Sequence, residues 1–113
     1  MAKEKIFENK IKKFLHSIGI YAAGTPANKM DITPKGWFFK FWAGPYSPVG
    51  IPDIICCCNG TFVAIEVKAE DGHPSELQKR NVNLINDCNG VGLIIYPKDF
   101  DYLKKVLTAI SRR

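Results

Sequence analysis

Asp53 and Glu66 stand thirteen positions apart, in Gly50-Ile51-Pro52-Asp53 and Ala64-Ile65-Glu66-Val67-Lys68, with Asn59-Gly60 between them. Residues 53–58 and 61–68 are both rich in strand formers, and an Asn-Gly pair flanked by such runs is the strongest short signal for a hairpin. A two-residue turn pairs Cys58 with Thr61 and, counted outward, sets Asp53 opposite Glu66 with Cβ atoms roughly 5 Å apart. Alternation along the strand puts Lys68 on the face of Glu66 and turns Val63, Ile65 and Val67 the other way. Two carboxylates and an amine then converge at one end of a hairpin. Like charges in register destabilise a sheet unless something cancels them, and a bound cation would do so, which makes this a candidate metal site. The plainer alternative is a surface ladder in which Lys68 neutralises Glu66 and Asp53 only begins a strand.

The chain has 113 residues, enough for one domain with its own core and too few for two. We therefore expect a single α/β domain over 1–113. No apolar run is long enough to span a membrane, and an amphipathic segment follows the start where a signal peptide would carry its apolar core, so a cytoplasmic protein is expected. A net charge of +5 suits a polyanionic partner. Cys56, Cys57 and Cys58 are consecutive on a predicted strand, so they alternate between faces and cannot share one ion; with Cys88 they read as small buried thiols.

Positioning elements can be read along the chain. Phe7, Ile11, Phe14, Leu15 and Ile18 recur at helical spacing, predicting a first helix over 3–18 that stops at Gly19. Gly24, Pro26, Pro34 and Gly36 predict an irregular connection over 20–36, and Trp37-Phe38-Phe39-Lys40-Phe41-Trp42 reads as a strand whose aromatics fill the core. After the hairpin, Ser75-Glu76-Leu77-Gln78 has a capping-box pattern and opens a helix to Cys88 with Leu77, Leu84, Ile85 and Cys88 on one face. Val91–Tyr96 reads as a strand buried on both faces, and a last helix starts at Asp99. The order α-β-β-β-α-β-α implies a mixed sheet, its last strand parallel to the Glu66 strand and the first and last helices covering its faces.

Taken together, Gly50-Ile51-Pro52-Asp53, Glu66-Val67-Lys68 and Gln78 at the next helix start resemble the PD-(D/E)XK nuclease signature, in particular its VRR-NUC branch. The resemblance takes in the Phe7-Glu8 helix, the Lys40-Phe41-Trp42 strand and Ile94-Ile95-Tyr96-Pro97, most of the chain. It implies a restriction-endonuclease-like core and metal-dependent cleavage of DNA, with kinship to Holliday-junction resolvases. Stand-alone proteins of this size look like phage or prophage enzymes, which implies a bacterial or infected-cell setting and a homodimer. Carried over, Asp53 and Glu66 are the metal-binding carboxylates, with the Val67 backbone carbonyl as a further ligand and Lys68 as the catalytic lysine. Hard oxygen ligands suit Mg²⁺ or Mn²⁺, which acidifies water for in-line attack on phosphorus while Lys68 orients that water or offsets phosphoryl charge. A glutamate of the first helix completes such a site: Glu8, which follows Phe7, or Glu4. Gln78 becomes a contact to water or phosphate, where its local reading is a helix cap alone.

The implied substrate is branched or flapped DNA, cut structure-selectively, with Lys40, Lys79 and Arg80 as phosphate contacts. Trp42 and Tyr46 are open to base stacking or a dimer contact, and His73 reads as a loop residue. A DNA-binding module of the same fold without catalysis, or a subunit needing a partner, is the alternative class, and phosphodiester chemistry alone does not exclude RNA.

Overall fold

The computed structural model describes residues 2–113. In chain order these are α1 (Ala2–Ser17), β1 (Ile20–Ala22), β2 (Gly36–Lys40), β3 (Ile54–Cys58), β4 (Thr61–Val67), α2 (Glu76–Asp87), β5 (Val91–Ile95) and α3 (Phe100–Ser111), with short 3₁₀ turns at Ala27–Lys29 and Pro97–Asp99. The five strands form one mixed sheet in the order β1-β2-β3-β4-β5. β2, β3 and β4 are antiparallel neighbours, whereas β1 runs parallel to β2 and β5 parallel to β4. A parallel neighbour needs a crossover, and α2 supplies it between β4 and β5.

The hairpin that sets the register forms as its turn residues dictate. Asn59 and Gly60 have φ of 48° and 84°, the pair of left-handed conformations a two-residue turn requires. Pairing then runs from Cys58↔Thr61 to Ile54↔Ile65, so the count leads outward to Asp53 and Glu66. The Asn59 side chain also donates to the carbonyls of Ile110 (3.1 Å) and Arg113 (3.0 Å), tying the turn to the end of α3.

Alternation divides the sheet. Phe38, Ile54, Cys56, Cys58, Val63, Ile65, Val67 and Ile95 share one buried cluster with Phe7, Ile11 and Leu15 of α1 and Leu103, Leu107 and Ile110 of α3. Phe100 meets Phe7 and Phe14 edge-on, with ring centroids 5.7 and 6.3 Å apart. The first and last helices thus share one face instead of covering both, and α2 takes the other, over β4 and β5.

Because α2 spans only that half, the opposite face of β2 and β3 is left open. Trp37 is half exposed, Phe39 and Phe41 are half-buried, and Trp42, beyond the end of β2, is more exposed still, so of the aromatic strand only Phe38 is core. Two further expectations change. α2 buries Val82, with Leu77 and Leu84 exposed, and among the thiols Cys57 and Cys88 face outward. The strand buried on both faces is β4, whose Val63–Val67 are all buried; β5 is an edge, with Gly92 and Ile95 buried and its other residues half-buried. Residues 20–36 contain β1, a three-residue strand too short to leave a periodic signal. Beyond it the segment is irregular as expected, anchored where the Tyr21 hydroxyl exchanges hydrogen bonds with the Ile32 backbone.

Asn59→Ala removes two hydrogen bonds and a residue tolerant of positive φ, so it is expected to cost about 1–3 kcal/mol. Urea unfolding checks this as a lower midpoint with an unchanged slope.

Candidate functional site

Gly50 begins the placement of Asp53. Its φ is +82°, and a Cβ there would lie 2.8 Å from the Leu77 carbonyl carbon, so only glycine lets this loop rest on the first turn of α2. Asn81, one turn further along α2, donates to the Gly50 carbonyl at 2.8 Å. The pinned loop leads through buried Pro52 to Asp53, whose Oδ2 accepts the Val67 backbone N–H at 2.8 Å and whose Oδ1 accepts Lys40 Nζ at 3.2 Å.

Glu66 lies on β4 and is 2% exposed. Its Oε2 accepts Gln78 Nε2 at 2.9 Å and pairs with Lys68 Nζ at 3.2 Å, while its Oε1 is buried without a hydrogen-bond partner. Burial, reinforced by the Asp53 charge and only partly offset by Lys68, pushes its carboxyl up to about 7.

Glu8 comes from α1 and is also buried. Its Oε1 accepts Lys40 Nζ at 2.7 Å, and its Oε2 pairs with Lys12 Nζ at 2.9 Å and more loosely with Lys5 at 3.6 Å. Burial would raise its carboxyl, but Lys12 and Lys40 outweigh burial and hold it below the ordinary range. Burial would likewise lower the Lys40 ammonium, yet Glu8 and Asp53 hold it above its usual value. Glu4 is half-buried, and its charge adds to the upward push on Glu66. Of the two helix acids, Glu8 is the one ion-paired into the cluster.

Both readings of Gln78 hold at once. Its backbone N–H donates to Ser75 Oγ (3.1 Å) and its Oε1 accepts from the Ser75 N–H (2.8 Å), completing the capping box, while Nε2 is left for Glu66. Lys40 points inward, whereas Lys79 and Arg80 are exposed, Lys79 beside Glu76 at 3.6 Å. His73 is exposed in the loop after β4, and among the described residues no hydrogen bond or ion pair joins it to the carboxylates. Cys56, its thiol pushed to about 12 by burial and then by its cysteine neighbours, is no nucleophile at neutral pH. A cavity of about 370 Å³ opens on Asp53, Lys40 and Gln78 and is walled by Trp42, Ser47 and Val49.

Lys12 and Asn81 were not singled out from sequence. Lys12 had a signal, since Glu8 and Lys12 are an i,i+4 acid–base pair in the favoured direction; Asn81 had none beyond lying one turn from Gln78.

Among the described residues, no three His, Cys, Asp or Glu side chains are already grouped to hold an ion. Lysine ammoniums pair with the acids instead. The donor set nevertheless suits a hard divalent cation: carboxylate oxygens beside the Val67 backbone, with Glu66 Oε1 buried and without a donor; Glu8 Oε2 also lacks a hydrogen bond but has the Lys12 ammonium beside it. Comparison with family models, curated proteins and solved structures returned no match.

Two outcomes follow from this geometry. A carboxyl raised from 4.5 toward 7 favours the protonated folded state, so in EDTA stability is expected to fall as pH rises across that interval. Glu66→Gln should flatten this slope in denaturant titrations, the stability difference between variant and wild type shifting in the variant's favour across the interval. Gln78→Ala removes the side-chain half of the capping box and a partner of Glu66 together, costing about 1–3 kcal/mol, whereas Ser75→Ala should cost about 1 kcal/mol and spare the acidic cluster; thermal melts with and without Mn²⁺ compare the two.

Proposed function

We propose that this chain is a divalent-metal-dependent endonuclease that hydrolyses DNA phosphodiester bonds, built on a restriction-endonuclease-like core of the VRR-NUC kind. The observation that carries the reading is the partnerless buried oxygen of Glu66, set beside Asp53 and Lys68 at the end of the hairpin. A binding surface alone has no use for a carboxylate buried at such cost. Further support comes from the antiparallel hairpin, the helical crossover and the parallel β5, which hold Glu66 and Gln78 together.

Asp53, Glu66 and the Val67 carbonyl would hold Mg²⁺ or Mn²⁺. When bound, such an ion acidifies water and offsets charge on the phosphate. The protein's own residues do the positioning. Gln78 fixes Glu66 Oε2, and the Val67 N–H fixes Asp53 Oδ2. Lys68, paired to Glu66 and about one-seventh exposed, is a donor that orients the attacking water or meets charge growing on the phosphoryl oxygens. Lys79 and Arg80, exposed and next to Gln78 in sequence, would take flanking phosphates. The substrate we favour is branched or flapped DNA, cut by a homodimer in a bacterial or phage-infected cell. The described residues contain no helix long and apolar enough to cross a membrane.

One observation favours a second reading, a DNA-binding module or partner-dependent subunit without activity of its own: both Asp53 oxygens already accept hydrogen bonds, from Lys40 and from the Val67 N–H. Incubation of a four-way junction, a 5′ flap, plain duplex and RNA with Mg²⁺, Mn²⁺ or EDTA separates the readings. Metal-dependent cleavage of branched DNA is expected, abolished in Asp53→Asn with DNA binding retained, and reduced on the order of 10²–10³-fold in Lys68→Ala. Cleavage that persists in EDTA, or in Asp53→Asn, sinks the enzyme reading.

A further inference from the structure

Among the described residues Lys40 is the only lysine ion-paired to two carboxylates at once. Its ammonium stands 2.7 Å from Glu8 Oε1 and 3.2 Å from Asp53 Oδ1, and the Trp42 ring lies over it at 5.6 Å from the centroid. The Lys40 side chain is 16% exposed, and that of Glu8 4%. The other Glu8 oxygen is buried without a hydrogen bond but lies 2.9 Å from Lys12 Nζ as an ion pair, so each oxygen of this carboxylate faces an ammonium group. Asp53 differs. Each carboxylate oxygen has two lone pairs, so Asp53 can keep Lys40 and the Val67 N–H and still offer a ligand toward Glu66, whose Oε1 has no partner.

We propose that Lys40 is a built-in second cation: it fills the position between Glu8 and Asp53, so the centre takes a single divalent ion on the Asp53–Glu66 side, and Glu8 anchors Lys40 without being a metal ligand. This rests on the metal-site reading above and goes beyond it by assigning ion count and the roles of Lys40 and Glu8. An ammonium between two carboxylates does the electrostatic work of an ion there, cancelling the repulsion that would drive one of them to protonate. Unlike an ion it cannot be removed by a chelator, so this half of the site stays assembled when the divalent ion leaves. Removing the ammonium without a polar replacement leaves two oxygen ligands facing each other, which is a vacancy for a hard cation.

Mn²⁺ binding, followed by the electron-spin signal of the free ion and by calorimetry, tests the proposal independently of cleavage. Wild type is expected to bind one Mn²⁺ per chain. Lys40→Met should bind two, and the Lys40→Met/Glu8→Gln double variant should return to one. Glu8→Gln alone, neutral and isosteric, should keep one ion at near wild-type affinity. It also decides the matter if Lys40→Met fails to fold, with thermal melts in EDTA reporting folding of every variant. Two ions on wild type, a single ion on folded Lys40→Met, or loss of the ion in folded Glu8→Gln overturns the assignment while leaving the metal site standing. No Mn²⁺ on folded wild type overturns the metal site itself.

Discussion

Three carboxylates are drawn into the end of this sheet, and the rest of the site depends on how their charge is cancelled. Glu8 and Glu66 are almost wholly buried, where an unpaired carboxylate costs several kcal/mol. Lys12 and Lys40 keep Glu8 ionised, and Lys40 also steadies Asp53. Glu66 receives less help: Lys68 and Gln78 share one of its oxygens and leave the other bare, and its raised affinity for a proton reports that imbalance. A proton answers that deficit, and under the metal-site reading proposed above a divalent cation would answer the same one, so acid would compete with it at this oxygen.

The framework around the acids has a division of labour. One face of the sheet is committed to α1 and α3 and supplies the core. The other is shared, with α2 over β4 and β5 delivering Gln78 to Glu66 and Asn81 to the Gly50 loop, and an open surface continuing across β2 and β3 with Trp37 on it. The acids lie where the two regimes meet. α1 brings Glu8 to the end of the packed face, while Glu66 stands on the face α2 covers, and Lys40 spans the gap.

Legibility in the sequence followed the range of the interaction. The hairpin register was readable because Asn59-Gly60 admits few turns, and the Ser75–Gln78 cap because it is a contact over three residues. These two local rules placed Asp53, Glu66 and Gln78. The ion pairs of Lys40 with Glu8 and Asp53 bridge separations of 32 and 13 residues, and nothing in the Phe39-Lys40-Phe41 context announces them. Exposure of Trp37 and Trp42 was equally hidden, since how far a helix reaches across a sheet is decided by tertiary packing. The aromatic strand and the Leu77/Leu84 stripe both mislead because large apolar residues usually mark a core: part of the sheet has no helix to face, and α2 turns Val82 inward instead of the two leucines.

The Gln78 side chain joins two processes that are usually separate. One end of its amide closes the first turn of α2 and the other holds Glu66. Helix ends fray far more readily than whole domains unfold. Each time this turn opens, Glu66 loses a hydrogen-bond donor and Gly50 loses the surface it rests on, so the acidic cluster loosens without any disturbance of the core. The order of the site is therefore coupled to one turn of helix, and a ligand that engages Glu66 would be felt as slower amide exchange at residues 78 and 79, whose N–H groups the cap binds.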